Sequence, residues 1–276
     1  MTDDPALDEQ VQHEHAAGVT WITLNRPESG NALTPDQRNR MIELLEDANT
    51  DVAVRAVVLT ATGERAFCTG ADLRVDRPVT HARPEGAPEQ PVLSIDHTCV
   101  GAQRLMAALQ DCDKPIICAV NGTAAGMGAH LAFACDLIIA ADHARFIEVF
   151  VRRGIIPDGG GAYLLTRLVG PLKAKELVFF GDDLSAPDAA RLGLVNRVVP
   201  GPELRDAASE WAGRLAAGPT PAIALSKRLI NRVLEIDRVT AFADERWAQE
   251  IAMGSADAAE GLASFAERRP PVFRGW

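Results

Sequence analysis

The first two hundred residues alternate between short apolar runs and segments with helical spacing. Strands are predicted where apolar residues alternate or run continuously, over residues 19–24, 55–61, 115–120 and 137–141. Helices are predicted between them, over residues 35–49, 94–110 and 126–135. Thr34 and Pro35 suit the N-cap and the first position of the first of these helices. Strands that alternate with helices indicate an α/β fold.

The last third of the chain has a different pattern. After a final strand signal at 195–199, apolar residues recur only at helical spacing. We therefore divide the chain into an α/β core over 1–201 and a helical C-terminal region over 202–276. So much apolar helix beside a complete core indicates packing against the body or against another subunit, and we expect this region to mediate oligomerisation.

Two polar segments are expected to be irregular. Residues 1–15 are predicted to be frayed at the N-terminus. Residues 74–92 are rich in proline and charge, and they are predicted to form a mobile loop. Strand and helix signals resume after this loop, so it does not separate two domains.

The composition limits the classes of binding partner and indicates the cellular compartment. The formal net charge of −10 argues against nucleic acid as the main partner, so any anionic ligand has to be met by local cations or backbone N–H groups. The five cysteines form no C-x-x-C pair, and their odd number fits reduced thiols in a cytoplasmic compartment. The acidic N-terminus does not resemble a signal peptide, and no window approaches the ~18 apolar residues of a membrane span.

Several common catalytic motifs are absent from the sequence. There is no P-loop, no G-x-G-x-x-G, no H-E-x-x-H and no G-x-S-x-G. We therefore predict neither a bound metal nor a bound nucleotide cofactor.

Two turn-rich segments, 66–73 and 121–128, carry the candidate chemistry. Each follows a predicted strand and contains small residues, which let a ligand approach the backbone closely. Two backbone N–H groups that converge on one oxygen would make an oxyanion hole. Taken alone, each segment is more often only a tight turn.

Together, the two segments belong to an ordered set of motifs that resembles the crotonase (enoyl-CoA hydratase/isomerase) superfamily. The set runs from Trp21 to Arg274. It comprises Asn25-Arg26-Pro27 with Asn31-Ala32-Leu33, the 66–73 segment, Lys114-Pro115 through Asn121-Gly122, Cys135-Asp136, Gly154 to Pro157, Gly193-Leu194-Val195 with Val198-Val199, Lys227, Asp257, Glu260-Gly261, Phe265 and Arg269-Pro270.

The resemblance implies an α/β fold built as a spiral of ββα units, assembly into homotrimers or hexamers, and a coenzyme A thioester as substrate without a further cofactor. It implies that the backbone N–H groups of Ala71 and Met127 hold the thioester oxygen. The residues that it implies for substrate and coenzyme binding are Arg26, Thr69, Gly70, Ala71, Asp72, Leu73, Gly126, Phe150 and Lys227. For the two cations, Arg26 and Lys227, the alternative to a phosphate contact is a solvated surface charge.

The sequence departs from the hydratase pattern at two positions. Hydratases of this family use two glutamates, and the matching positions here are His130 and Phe150. Glu148, two residues from Phe150, is a possible substitute. Asp158 occupies a third position, where some isomerases of the superfamily place their proton-transferring carboxylate; its alternative role is to cap the helix predicted over 160–169.

Several functions stay open on the sequence. His130 could be a second acid or base, or only fill an apolar face. We favour isomerase-like proton transfer or double-bond migration on an enoyl-CoA over hydration. An aspartate-dependent acyl-CoA hydrolase or dehalogenase is one alternative. A non-catalytic acyl-CoA-binding protein is another.

Overall fold

Ten strands form two sheets in the computed structural model, which describes residues 5–74, Gly86 and residues 97–276. The strands are β1 (Val11–Ala16), β2 (Val19–Leu24), β3 (Ala56–Ala61), β4 (Ala66–Cys68), β5 (Ile116–Val120), β6 (Thr123–Ala125), β7 (Leu137–Ala141), β8 (Arg145–Ile147), β9 (Asp183–Ser185) and β10 (Arg197–Val199). The larger sheet has the order β1-β2-β3-β5-β7-β10, and the smaller one has the order β4-β6-β8-β9.

Within the described residues, ten α-helices accompany the sheets. They are α1 (Pro5–Gln10), α2 (Pro35–Thr50), α3 (His97–Asp111), α4 (Met127–Phe133), α5 (Gly161–Phe180), α6 (Ala186–Arg191), α7 (Leu204–Ala216), α8 (Thr220–Arg232), α9 (Arg238–Met253) and α10 (Ala256–Glu267). In the described part of the chain, no helix combines the length and the apolarity that a membrane crossing requires.

Successive chain segments repeat one unit, two strands followed by a helix. In β3-β4-α3, β5-β6-α4 and β7-β8-α5, the first strand joins the larger sheet and the second joins the smaller one. The first strands pair in parallel, as do the second strands, so each unit is stacked on the one before. The predicted spiral of ββα units is confirmed.

The N-terminal prediction was wrong. Residues 5–15 are not frayed: α1 leads into β1, which pairs antiparallel with β2 along its whole length. Only Val11 of β1 is buried, and the next five side chains are exposed. The polar composition therefore reflects an edge strand with one solvated face, held mainly by its backbone hydrogen bonds to β2.

The region after residue 201 is helical, as predicted, up to Glu267. Its first helix, α7, lies across β2, β3, β5 and β7 and buries four alanines against the larger sheet. This helix therefore belongs to the hydrophobic core. The large exposed apolar side chains of the region lie after this helix instead.

Two predicted segments extend beyond what the structure describes. The loop predicted over 74–92 lies outside the described residues apart from Arg74 and Gly86, as do the first residues of the helix predicted from 94. The helix predicted over 160–169 is longer than expected. It continues as α5 to Phe180 through a kink at Gly170, which has φ 75° and precedes Pro171.

Candidate active site

Three of the candidate segments begin at one edge of the smaller sheet. Strands β4, β6 and β8 run parallel, so their carboxyl ends meet at the same edge. The chain leaves β4 towards residues 69–72, leaves β6 towards Gly126 and Met127, and leaves β8 towards Glu148 and Phe150. Segments that are far apart in sequence are thereby brought together.

The segment after β4 is held by its neighbours. Gly70 accepts a hydrogen bond from the Leu33 N–H at 2.8 Å, and the Asp72 N–H donates to Leu33 at 2.9 Å. Thr69 donates both its N–H and its hydroxyl to the Gly30 carbonyl, each at 3.1 Å. These contacts fix the backbone on both sides of Ala71. Leu73, by contrast, is exposed.

The two turn-rich segments touch at Gly70. A methyl group on Gly70 would lie 3.1 Å from the Ala125 carbonyl oxygen and 3.5 Å from the Met127 nitrogen. Within the described residues, neither Ala71 nor Met127 donates its backbone N–H to a protein acceptor. The structure therefore brings together two segments whose unused N–H donors are available to a ligand.

Gly128 explains how α4 approaches β4 so closely. A methyl group on Gly128 would lie only 2.0 Å from the carbonyl oxygen of Cys68, the last residue of β4. Any larger residue would force the start of α4, and with it Met127, away from β4. Burial raises the pKa of the Cys68 thiol to about 12, so this sulfur is not a nucleophile at neutral pH.

Arg26 lies beside the segment after β4. Its guanidinium donates to Asp72 at 3.2 Å, to the Ala32 carbonyl at 3.1 Å and to Ser29 at 3.3 Å. Hydrogen bonds from Arg74, with a further one from Arg26, lower the pKa of Asp72 to about 2. Arg26 thus holds the backbone near Ala71 in place; its predicted contact with a coenzyme phosphate stays a prediction.

Lys227 is not a surface charge. Its ammonium is buried, and it donates to Asp136 at 2.8 Å, to the Leu109 carbonyl at 3.0 Å and to the Lys114 carbonyl at 3.4 Å. Three protein oxygens therefore take its three N–H donors. This geometry weighs against the predicted phosphate contact and favours a structural ion pair between α8 and the core.

His130 and Phe150, the two positions where hydratases carry glutamates, face each other. Their rings stack with centroids 5.2 Å apart and planes 11° apart. His130 has no exposed surface, and its Nε2 lies 3.1 Å and 3.0 Å from the two carboxylate oxygens of Glu148. Glu148 is thus a member of the cluster, but its carboxylate meets the imidazole.

Asp158 lies in the turn before α5. The Gly161 N–H donates to the Asp158 carbonyl at 3.0 Å. The N-cap position of α5 is Gly160, two residues beyond Asp158. A methyl group on Gly159 would lie 3.1 Å from Ala102, which places this turn directly against α3.

Known proteins resemble this chain over a range that includes every candidate site residue. The sequence profile described as enoyl-CoA hydratase/isomerase matches residues 14–275. The chain is 39% identical over 258 residues to a protein of Escherichia coli K12 named 1,2-epoxyphenylacetyl-CoA isomerase, covering 94% of this chain and 95% of that protein. The chain belongs to the enoyl-CoA hydratase/isomerase family. The predicted membership of the crotonase superfamily is confirmed.

Other members of the family carry hydratase names. The chain is 37% identical to a probable enoyl-CoA hydratase of Rhodobacter capsulatus, covering 96% of this chain and 98% of that protein. The crystal structure of an enoyl-CoA hydratase from Bacillus anthracis superimposes with a TM-score of 0.87 at 34% identity, covering 97% of this chain and all of that one. Family membership thus indicates an acyl-CoA enzyme. The relatives include proteins named as hydratases and one named as an isomerase, so their names do not decide between the two reactions.

Proposed function

We propose that this member of the enoyl-CoA hydratase/isomerase family moves a proton within an enoyl-CoA, and so migrates its double bond, rather than adding water. The observation that carries the proposal is the ring stack of His130 and Phe150. Water addition needs one group to activate water and another to protonate the α-carbon. Phe150 can transfer no proton, and the Nε2 edge of His130 is taken by Glu148.

Asp158 is the carboxylate that we assign to proton transfer. It takes the α-proton of a 3-enoyl-CoA, which moves the electron pair into the thioester as an enolate. The same proton is then returned at the γ-carbon, and the double bond shifts to the 2-position. One carboxylate suffices for both halves of this exchange.

The enolate oxygen would be held by the Ala71 and Met127 N–H groups. These donors lie on segments fixed by backbone contacts, so little reorganisation is needed when the charge develops. Loss of one such donor typically costs about 3–4 kcal/mol in the transition state. The relative named 1,2-epoxyphenylacetyl-CoA isomerase supports isomerase chemistry. The relatives with hydratase names support hydration as the alternative.

Asp158→Asn tests the proposal, because it keeps the shape of the side chain and removes the base. We expect the rate of 3-enoyl-CoA isomerisation to fall by roughly 10²–10⁴, the usual contribution of a positioned acid or base. Binding of a saturated acyl-CoA, measured by calorimetry, should stay within about twofold. The matched control is Asp206→Asn at an exposed position of α7, which should leave the rate unchanged.

The other outcomes identify the alternatives. Efficient hydration of crotonyl-CoA that survives Asp158→Asn would assign the proton transfer to another group and overturn the proposal. Release of free coenzyme A thiol that depends on Asp158 would instead indicate hydrolysis. Tight acyl-CoA binding without turnover of any enoyl-CoA would indicate a binding protein.

A further inference from the structure

One buried ring contacts two segments that border the candidate site. The His130 imidazole lies between the segment after β8, which carries Glu148 and Phe150, and the start of α5 at Gly161. We propose that His130 and Glu148 form a positioning pair that sets the place of the Asp158 turn and of the loop at Gly126. This inference rests on the proposed function, because it assigns the chemistry to Asp158 and not to the imidazole.

The ring itself is held from two sides. Both carboxylate oxygens of Glu148 lie within 3.1 Å of Nε2, and the Phe150 ring stacks on its face. His130 and Glu148 are both buried, so a broken contact would leave a polar group unpaired in the interior. The pair therefore fixes the imidazole more firmly than apolar packing alone would.

Contact with Gly161 transmits the position of the ring to Asp158. A methyl group on Gly161 would lie 2.0 Å from Cε1 and 2.1 Å from Nε2 of the imidazole, so the α5 backbone rests directly on the ring. Gly161 in turn donates its N–H to the Asp158 carbonyl. A shift of the ring would therefore move the turn that carries the proposed base.

Through Phe150, the position of the ring also affects the loop at Gly126. A methyl group on Gly126 would lie 3.5 Å from Cζ of Phe150, and the Gly126 N–H donates to the Ile147 carbonyl at 2.8 Å. Gly126 immediately precedes Met127, one of the two proposed donors. The imidazole thus supports the Asp158 turn through Gly161 and the loop at Gly126 through Phe150.

The hydrogen bond, not the charge, is what a positioning role requires. With Nε2–H donated to Glu148, Nδ1 is left as an acceptor, and it has no partner among the described residues. A glutamine at position 148 can accept the same hydrogen bond without a negative charge. Glu148→Gln should therefore keep kcat within about threefold and leave the pH profile of kcat unchanged, whereas loss of an acid–base partner would cost about 10²-fold or more.

A pair of substitutions tests the contact with Gly161. Gly161→Ala should push the ring and the Asp158 turn apart and lower kcat by about 10²-fold, with KM little changed, because a displacement of about 1 Å is enough for such a loss. Adding His130→Ala removes the clash, so the double variant should regain at least about tenfold in kcat over Gly161→Ala. Gly213→Ala, where the added methyl meets nothing within 4 Å, is the matched control.

The outcomes separate this inference from the function on which it rests. A double variant no faster than Gly161→Ala, or a folded Glu148→Gln protein that loses about 10²-fold in kcat, overturns the positioning pair. If Asp158→Asn is inactive in the same assay, the proposed function survives that result. If Asp158→Asn is fully active, the proposed function fails whatever the other variants do. If Gly161→Ala fails to fold, the Glu148→Gln result decides alone.

Discussion

At the scale of single residues, the ion pair of Lys227 and Asp136 shows how a buried charge can affect stability. The side chain of Lys227 is 6% exposed and that of Asp136 20%. Burial raises the pKa of Asp136, while the Lys227 ammonium opposes this rise. The ammonium therefore offsets part of the cost of burying the carboxylate.

Lys227→Met should destabilise the protein strongly and in a pH-dependent way. The substitution leaves the buried Asp136 carboxyl without its cation, and we expect the free energy of unfolding at pH 7.5 to fall by about 3–5 kcal/mol. A carboxyl whose pKa is raised in the folded state favours folding when protonated, and it loses this advantage as the pH rises through that pKa. The deficit of Lys227→Met should therefore shrink as the pH is lowered towards 4.5. Urea titration at both pH values measures it.

The neighbouring Arg228 provides the control. It forms an ion pair with Asp113, but its side chain is 64% exposed, so Arg228→Met should cost no more than about 1 kcal/mol at either pH. Equal losses in the two variants would show that Lys227 makes no special contribution.

Sequence spacing proposes the residues of the candidate site but does not reveal their partners. The positions of His130 and Phe150 were recognised as replacements for two glutamates, and the structure brings them face to face. The contact of Glu148 with His130 was missed, because spacing along the chain does not show which way a side chain points after a strand ends. The burial of Lys227 was missed for the same reason: its three acceptors lie about a hundred residues earlier.

At the scale of elements, helix α2 begins with a reciprocal cap. The Thr34 hydroxyl accepts from the Gln37 N–H at 3.2 Å, and the Gln37 side chain accepts from the Thr34 N–H at 2.9 Å. Two donors that the helix itself leaves unpaired are thereby satisfied. The adjacent residue, Leu33, holds the segment that carries Ala71.

Thr34→Ala should lower the free energy of unfolding by about 1 kcal/mol, the usual loss for an N-cap. Thr50, at the other end of the same helix, is the matched control. Its exposed hydroxyl donates to the Glu46 and Asp47 carbonyls of its own helix, so Thr50→Ala should change stability by less than about 0.5 kcal/mol. Thermal unfolding of both variants makes the comparison, and equal changes in Tm would contradict the capping role.

Elements with strong periodicity were predicted well, and short or solvated ones were not. The parallel strands β3, β5 and β7 are continuous apolar runs because both of their faces are covered. The three-residue strands of the smaller sheet are too short to show a period, and β4 and β6 lie within the segments interpreted as turns. Strand β1 was missed because its side chains are polar and its order comes from its backbone pairing.

At the scale of the whole molecule, the later C-terminal helices carry apolar side chains that the chain does not cover. On α9, Val239, Phe242, Trp247 and Ile251 are between 54% and 71% exposed, and on α10 Phe265 is 85% exposed. Scattered apolar side chains are normal on a monomer, but several large ones on two helices in contact are typical of an interface.

We therefore predict a homotrimer or hexamer in solution, with these helices at the interface. Light scattering should give three or six times the chain mass of 29.6 kDa. Trp247→Glu and Phe265→Glu place a charge where an interface would exclude water, so they should shift the mass towards that of the monomer. Val52→Glu, at an 83% exposed position between α2 and β3, should leave it unchanged. A wild-type mass near 30 kDa at micromolar concentration would refute the assembly, and an unchanged mass in both glutamate variants would place the interface elsewhere.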